Sequence, residues 1–402
     1  MRVALLSASY APELTGIGPY SAELAEALAL RGHEVQVISS FPFYPAWIPR
    51  VPPGTFLYRT ELVNEVRVTR CRVYVPSRPG PTRRVLHELS WVAAAFPAVV
   101  RRSRWADAWI VVSPAFGSAL IGACLARFTS APVHIHVQDL VPDVALESGQ
   151  IKSRLLLGGA RAVARWTYRS FRSATVLSES MAARFREYVG GNELKIGVAP
   201  NWLRKTNDSS GSLPVVLQGR PYAVYAGSSG RKQDLALLAQ AAELLAVKKG
   251  PVIAVLGDGP GHRAIRESSP NLVFLGLVDD ATYGAVARTA LAGIVTLAPG
   301  VGDSVVPSKL AGYLSAGRPV IVAAGLRSEA VRVVEDAQCG FAVPAGRPDL
   351  LAEMLCRIAT DPEERSRLGA RGKAYATAHW DKEHIVDLFG TALQNLAAGS
   401  TT

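Results

Sequence analysis

Residues 307–321 read Pro307-Ser308-Lys309-Leu310-Ala311-Gly312-Tyr313-Leu314-Ser315-Ala316-Gly317-Arg318-Pro319-Val320-Ile321. Pro307 pre-sets the backbone for a first helical turn. Ser308 and Lys309 then offer a hydroxyl, an ammonium and free backbone N–H groups at a helix N-terminus, which is phosphate-binding chemistry. Gly317 ends the helix, and Pro319 opens an apolar strand. Helix, glycine stop, strand: this unit is one period of a theme that fills the chain.

Upstream in the second half, residues 222–226, 252–256, 272–275 and 292–297 read as strands, joined by 320–323. In the first half the strands fall at residues 2–8, 34–40, 106–112, 133–139, 174–178 and 195–200, with a helix at 20–31 stopped by Gly32. Short apolar runs alternating with amphipathic stretches predict βαβ units, hence parallel sheets covered on both faces. A polar, Gly/Ser-rich stretch at residues 204–221 separates the two series. The expectation is two doubly wound α/β domains facing a cleft, 1–203 and 204–379. Residues 361–396 are helical, broken at Trp380 and Asp381, so 380–402 is expected to cross back onto the first domain.

The 402 residues are 49% hydrophobic and 19% charged, a balance that excludes disorder. Net charge is +11, and residues 1–203, with 23 Lys+Arg against 14 Asp+Glu, carry +9 of it. The excess favours phosphates, nucleotides or lipid headgroups as partners; nucleic acid is not among those expected. Four scattered cysteines without a C-x-x-C argue against a disulfide scaffold or a zinc ribbon. No apolar stretch reaches the ~20 residues of a membrane span, and no signal-peptide pattern opens the chain. A cytoplasmic location follows as the expectation. Residues 85–100 are apolar and lie between Arg83, Arg84 and Arg101, Arg102, Arg104. That segment reads either as a helix on an anionic membrane face or as a half-buried helix with a solvated basic rim.

Three further stretches carry chemistry. Gly16-Ile17-Gly18 follows the first strand, but the third glycine of a dinucleotide fingerprint is Ser21. Gly227-Ser228-Ser229-Gly230-Arg231-Lys232 joins a strand to a helix and puts two cations beside glycines, which suits a diphosphate. Gly257-Asp258-Gly259-Pro260 ends the next strand and either lines a nucleotide pocket or turns the chain. The sequence has no G-x-x-x-x-G-K-[ST], no D-x-D, no Tyr-x-x-x-Lys and no H-x-x-x-H, which excludes P-loop chemistry and argues against several other classes.

In the order and spacing of its motifs the chain resembles a two-domain GT-B glycosyltransferase of family 4, and is most similar to the colanic-acid-type branch of bacterial polysaccharide glycosyltransferases. The motifs are residues 12–20, Gly32-His33-Glu34-Val35, Val137-Gln138-Asp139-Leu140-Val141-Pro142-Asp143, Pro200-Asn201-Trp202, 227–233 and 307–321. The resemblance implies retaining transfer of a sugar from a UDP-, GDP- or dTDP-linked donor, with no metal and no cofactor beyond that co-substrate. It implies Arg231 and Lys232 on the leaving diphosphate, and Gly16 and Gly18 in a loop closing over the donor. Asn201, Gly227, Ser228, Gly257, Pro307, Ser308, Lys309 and Leu310 fall on the donor side. Gly276, Leu277 and Val278 fall where the base is cupped.

Two positions depart from the family pattern. Its acidic pair falls on Ser304 and Gly312, and its first-domain His falls on Gln138, beside Asp139. His134 and His136 lie nearby, read chiefly as buried structural residues. The acceptor is read as a lipid-linked glycan at the membrane face or a small natural product or thiol. A sugar-nucleotide 2-epimerase and a non-catalytic nucleotide-sugar-binding protein are the alternatives.

Overall fold

The structure is a computed structural model, and it describes residues 1–13, 16–44, 46–78, 80–140, 154–191, 194–203, 211–227, 233–299 and 308–399. Contacts divide the chain into two units, Met1–Pro200 with Glu383–Thr402, and Asn201–Lys382.

The first unit holds β1 (Arg2–Ser7), α1 (Gly18–Leu30), β2 (Glu34–Ser40), β3 (Tyr58–Val63), β4 (Val66–Cys71), α2 (Pro81–Ser103), β5 (Ala108–Ser113) and α3 (Phe116–Phe128). It continues with β6 (Val133–Val137), α4 (Arg154–Tyr168), β7 (Ser173–Val176), α5 (Glu179–Val189) and β8 (Lys195–Val198). Its eight strands run in the order β3-β4-β2-β1-β5-β6-β7-β8. The central strands are buried on both faces, as apolar runs without alternation require.

The second unit holds β9 (Tyr222–Ala226), α6 (Leu235–Val247), β10 (Val252–Leu256), α7 (Pro260–Ile265), β11 (Leu272–Gly276), α8 (Asp280–Thr289), β12 (Gly293–Thr296) and α9 (Ser308–Ser315). After these come β13 (Val320–Ala324), α10 (Glu329–Ala337), β14 (Gly340–Pro344), α11 (Pro348–Thr360) and α12 (Pro362–His379). The sheet order is β11-β10-β9-β12-β13-β14, and every described pairing is parallel. One apolar cluster lies on each face of this sheet. Both units are therefore doubly wound, as the sequence predicts.

The expectation of purely parallel sheets needs a correction. β3 and β4 form an antiparallel hairpin at the edge of the first sheet. Its two-residue turn, Asn64-Glu65, has φ of 47° and 66°, the primed-turn geometry that matches strand twist. The strand is legible only weakly, because Tyr58–Val63 lies exposed at an edge and carries charges on it. β14 also escaped the sequence reading: it is an edge strand, partly exposed and ending in Pro344.

The final helix, α13 (Lys382–Gly399), begins as the chain re-enters the first unit. Arg31 at the end of α1 holds it by ion pairs to Glu383 at 2.6 Å and Asp387 at 2.9 Å. Ile385, Val386, Phe389 and Leu393 are buried beneath it.

Each sheet has one place where the strand order reverses, and ligands of open α/β sheets bind at the carboxyl ends of the strands there. In the first unit that place lies between β1 and β5, in the second between β9 and β12.

Candidate active site

At the reversal of the second sheet, three strands end in glycines tied edge to edge. Gly227 N–H donates to the Leu256 carbonyl at 3.0 Å, and Gly257 N–H to the Gly276 carbonyl at 2.8 Å. A side chain on Gly257, whose φ is +134°, would run into the Gly227 carbonyl and lie 2.9 Å from His262 Nε2. Only glycine gives this close backbone approach.

Lys309, in the first turn of α9, reaches into this end of the sheet. Its Nζ lies 4.0 Å from the Tyr225 ring centroid, and a Cβ on Gly227 would come within 2.9 Å of it. The residue as a whole is half-buried, yet Nζ is cut off from solvent and has no hydrogen-bond partner among the described residues. Burial pushes the Lys309 pKa down to about 7. Burial also lowers the pKa of His262, on α7. The helix itself is pinned in place, because the fully buried Tyr313 accepts the Ala226 N–H at 2.8 Å through its hydroxyl. The result is a cationic group held beside glycine backbone with its pairing left unfilled, which suits an anionic ligand.

At the reversal of the first sheet a cavity of about 500 Å³ opens between the ends of β1 and β5, lined by Ser7–Ser9, Ile17, Val112, Pro114 and Ala115 together with residues of α2 and of the loop after β2. Glu13 shapes it from behind: one carboxylate oxygen accepts the N–H groups of Phe43 and Tyr44, both at 3.0 Å. The fully buried Arg70 braces the same region by donating to the carbonyls of Ala11 and Ser40 and to Glu61. His87 meets Phe43 and Trp47 edge to face at centroid separations of 4.8 and 5.6 Å, and Phe43 lies tilted against Trp47 at 5.4 Å. His87 donates through Nδ1 to the Tyr74 carbonyl at 2.6 Å, which leaves Nε2 as the acceptor of the neutral ring. Glu88 accepts the Gly117 N–H at 2.9 Å, and burial raises its pKa. A larger cavity, about 950 Å³, lies at the opposite ends of β7 and β8 against α13. It lies away from the strand-order reversal of its own sheet, so size is a poorer guide here than topology.

The structure brings together Gly227, Gly257, Gly276 and Lys309. Ser308 opens α9 beside them. Leu310 is wholly buried in the apolar core and contributes packing rather than a ligand-facing side chain. Leu277 is 82% exposed, and Val278 packs on the core. Asn201 is half-buried at the start of the second unit. Ser228, Arg231, Lys232, Ser304 and Pro307 lie outside the described residues.

In the first unit, Gly16 has φ +70°, and a Cβ on it would meet the Tyr44 ring; Gly18 starts α1, where a Cβ would come 3.0 Å from Glu13 Cβ. Ile17 between them lines the cavity; Gly16 itself is exposed and Gly18 buried. Gln138 is buried, and its amide lies 2.5 Å from His136 Nε2; Asp139 next to it is half-buried. His134 and His136 bond to Ser173 and Thr175 under Phe389, and burial lowers each pKa to about 3, so both are structural. At Gly312, the place of the second acidic residue is taken: a Cβ there would run into the Tyr283 hydroxyl from α8.

Sequence reasoning missed Tyr225, His262 and Tyr283 in the second unit, and Glu13, Phe43, Trp47, His87 and Glu88 in the first. The aromatic, proline-spaced run Phe41-Pro42-Phe43-Tyr44-Pro45-Ala46-Trp47 after β2 was the available signal.

These features define a class. The glycosyl transferase 4-like domain matches residues 15–202 and the glycosyl transferases group 1 domain matches residues 220–361. The chain belongs to the two-domain glycosyltransferases of the GT-B fold. It is similar to the putative colanic acid biosynthesis glycosyl transferase WcaI of Escherichia coli K12, 28% identical over 361 residues, covering 83% of this chain and 86% of that protein. Among solved structures it is similar to the sucrose-phosphate synthase of Thermosynechococcus elongatus, with TM-score 0.74, 18% identity and 99% of each chain covered. It is also similar to Anabaena HepE in complex with UDP-glucose, with TM-score 0.68, 14% identity, and 98% and 100% of the two chains covered.

Proposed function

We propose that this glycosyltransferase moves a sugar from a nucleoside-diphosphate donor, held on the second unit, to an acceptor held on the first, with retention at the anomeric carbon and without a metal ion. The observation that carries the reading is Lys309: a buried ammonium without a hydrogen-bond partner among the described residues, set against the glycine ends of β9 and β10. A diphosphate supplies the missing negative charge, and a fixed cation stabilises the charge that grows on the leaving group. The solution of HepE with UDP-glucose supports a nucleotide sugar as the donor class.

A lipid-linked acceptor is favoured by α2, which has two apolar faces. His87, Trp91, Ala95 and Val99 turn inward, whereas Val85, Leu89, Phe96 and Val100 are 45–58% exposed on the other side. Arginines flank that open face at both ends, the pattern of a helix lying on an anionic membrane surface. No helix among the described residues is long and apolar enough to cross a membrane.

Thermal-shift titration with UDP-, GDP-, dTDP- and ADP-sugars tests the donor. One series should raise the melting temperature with chelator present; a strict need for a divalent ion overturns the metal-free reading. NMR of the product's anomeric proton tests retention. Removing Arg83, Arg84, Arg101, Arg102 and Arg104 together should abolish binding to anionic liposomes. A wild type that ignores such liposomes at low salt gives the weight to a soluble acceptor.

A further inference from the structure

We infer that the cavity at the foot of β7 and β8 binds a phosphate-class anion, and that a hydrogen-bond chain reports its occupancy at the opposite, carboxyl end of the sheet. The chain runs through Ser173, His134, Thr175, His136 and Gln138. Only its consequence for turnover rests on the acceptor reading above; the binding and the chain do not.

The cavity measures about 950 Å³ and lies wholly within the first unit. Arg127, Arg169, Arg172 and Lys195 line it, and among the described residues no acidic side chain does. Two of these cations are already engaged: Arg127 stacks on Trp166 at 4.4 Å and donates to Ser170, and Arg169 donates to the Val189 carbonyl at 3.1 Å. Arg172 and Lys195 are exposed and form no ion pair with a described residue. The strand register sets Lys195 beside Ser173 and Gly197 beside Thr175, so all four positions share one face of the sheet. Gly197 has no side chain to fill that face, which leaves room between β8 and α13. Across the gap, Leu388, Ala392 and Leu396 follow the four-residue spacing of one helical face. An apolar wall with a cationic rim suits an anion, bare or carrying a short apolar chain.

The floor supplies an independent observation. His134, Ser173 and Thr175 line the cavity and are buried. His134 Nδ1 lies 2.9 Å from Ser173 Oγ, and its Nε2 lies 2.9 Å from Thr175 Oγ1. The same hydroxyl lies 2.9 Å from His136 Nδ1, and His136 Nε2 meets the Gln138 amide at 2.5 Å. Both rings are buried beside Phe389 of α13, and burial lowers each pKa to about 3. Each ring is therefore neutral and carries one N–H. Thr175 has one hydroxyl proton for two rings. It donates to one and accepts from the other, because accepting from both would leave a buried hydroxyl proton unpaired. That condition locks the whole chain into one of two directions.

In the direction the structure shows, the Gln138 amide nitrogen donates to His136 Nε2. His136 Nδ1–H then donates to Thr175, Thr175 donates to His134 Nε2, and His134 Nδ1–H donates to Ser173. The Ser173 proton is left to point into the cavity. In the reverse direction Ser173 donates to His134, both rings carry N–H at Nε2, and Gln138 turns its oxygen to His136. An anion accepts the Ser173 proton in the first direction only, so it favours that direction. Both directions make the same number of hydrogen bonds within the chain, so a bias at one end decides the other. Gln138 follows β6, and its backbone N–H donates to the Ser113 carbonyl at the end of β5, a strand that bounds the strand-order reversal.

Isothermal titration with inorganic phosphate, hexyl phosphate and hexanol tests the site. NMR of the histidine ring nitrogens, which distinguishes the two tautomers, tests the chain. Both phosphates should bind, and hexanol about tenfold more weakly. A preference for hexyl phosphate identifies an organic phosphate with its chain along α13, and equal affinity identifies free phosphate; either supports the site. Lys195→Glu, on an exposed edge strand, should weaken both phosphates about tenfold. His136 does not line the cavity, yet saturating ligand should move its tautomer ratio about tenfold toward Nδ1–H. Thr175→Val cuts the chain, so His136 should cease to respond. Thr175→Ser keeps the hydroxyl and should keep the response, and with Lys195→Glu it keeps the test decisive if Thr175→Val does not fold. Phosphate binding unchanged in Lys195→Glu, or hexanol binding as tightly as hexyl phosphate, overturns the site. A His136 ratio that bound ligand does not move overturns the chain.

Discussion

The two strand-order reversals carry sites built by opposite means. In the second unit the site is made of backbone: the glycine ends of β9, β10 and β11 lie edge to edge, and one buried ammonium sets the charge. In the first unit the cavity is made of side chains from five separate segments, assembled by Glu13 and Arg70 acting from behind. A backbone site depends on where side chains are absent. It tolerates little change at its glycines and depends on a single cation. A side-chain site spreads its energy over many residues and is open to tuning by the groups that hold its loop. The following expectations probe that contrast, starting where one residue carries most.

Lys309→Met should lower kcat/KM by about 10²–10³, about 3–4 kcal/mol of transition-state stabilisation, the scale for losing one preorganised electrostatic partner. Stability should move the other way. Lys309 has its pKa lowered from 10.5 to about 7 by burial. The unfolded chain therefore binds the proton more tightly, so folding bears the full cost below pH 7. Stability rises as pH goes from about 7 to about 10.5. The Met variant removes the penalty, so it should be more stable than wild type at pH 7, and its stability should lack that rise. Denaturant titrations at pH 7 and pH 9.5 check both signs; a variant less stable at pH 7 would show that the ammonium already has a partner.

The same proton couples to the ligand. A diphosphate stabilises the charged form of Lys309, so binding above about pH 7 must take up a proton. Nucleoside diphosphate affinity should then fall by up to about tenfold per pH unit above 7. Titration calorimetry in two buffers of different ionisation enthalpy measures the proton directly. Ligand binding in the first-unit cavity should show no such uptake, because Lys309 belongs to the other unit. Equal proton uptake at both sites would erase the contrast.

The sequence revealed the second site far better than the first, and the reason is physical. Gly227, Gly257 and Gly276 end strands, and Lys309 begins a helix, so local pattern already places them at one edge of the sheet. The cavity of the first unit joins Ser7, Trp47, Glu88 and Pro114, whose meeting depends on tertiary packing. Gly16 and Gly18 flank Ile17 on its wall, but nothing local marked Glu13 as the residue that holds the loop after β2. The hairpin of β3 and β4 stayed hidden for a related reason: an exposed edge strand lacks the buried apolar run that announces a strand elsewhere.

Gly312 sharpens the difference at intermediate scale. A lone helical glycine predicts that Gly312→Ala stabilises by about 1 kcal/mol. The Tyr283 hydroxyl occupies that space, however, and a ring is too stiff to yield. Gly312→Ala should therefore destabilise, by about 1–3 kcal/mol, the cost of overpacking. Removing the hydroxyl leaves the Tyr283 ring carbon Cζ 3.4 Å from the new Cβ, an ordinary contact. In a Tyr283→Phe background the same change should cost little or even stabilise. A double-mutant cycle by chemical denaturation reads the coupling; additive effects would mean that Tyr283 does not fill the place of the side chain lost at 312.

The smallest expected effect tests the idea that the first site is held from behind. Glu13 is buried, and its Oε1 accepts two backbone N–H groups that shape the loop at Phe43 and Tyr44. Glu13→Gln keeps an oxygen in that place but removes the charge. Hydrogen bonds to a charged acceptor contribute roughly 1.5–3 kcal/mol and neutral ones about 0.5–1.5, so the substitution should cost about 1 kcal/mol per bond. The new amide nitrogen also takes the position of Oε2, which has no hydrogen-bond partner among the described residues and lies close to Gly18. The loop should loosen without unfolding the domain, since Arg70 still ties Ala11 to Ser40. Acceptor KM should rise about three- to tenfold, in line with a loss of about 1 kcal/mol in positioning. Donor affinity should be unchanged, because the glycine strand ends proposed to hold it are in the other unit. Steady-state kinetics with each substrate varied in turn separates the two. A rise in donor KM with acceptor KM unmoved would mean that Glu13 positions the loop for the donor instead, and the opposition between a backbone site and a side-chain site would have to be redrawn around Gly16 and Gly18.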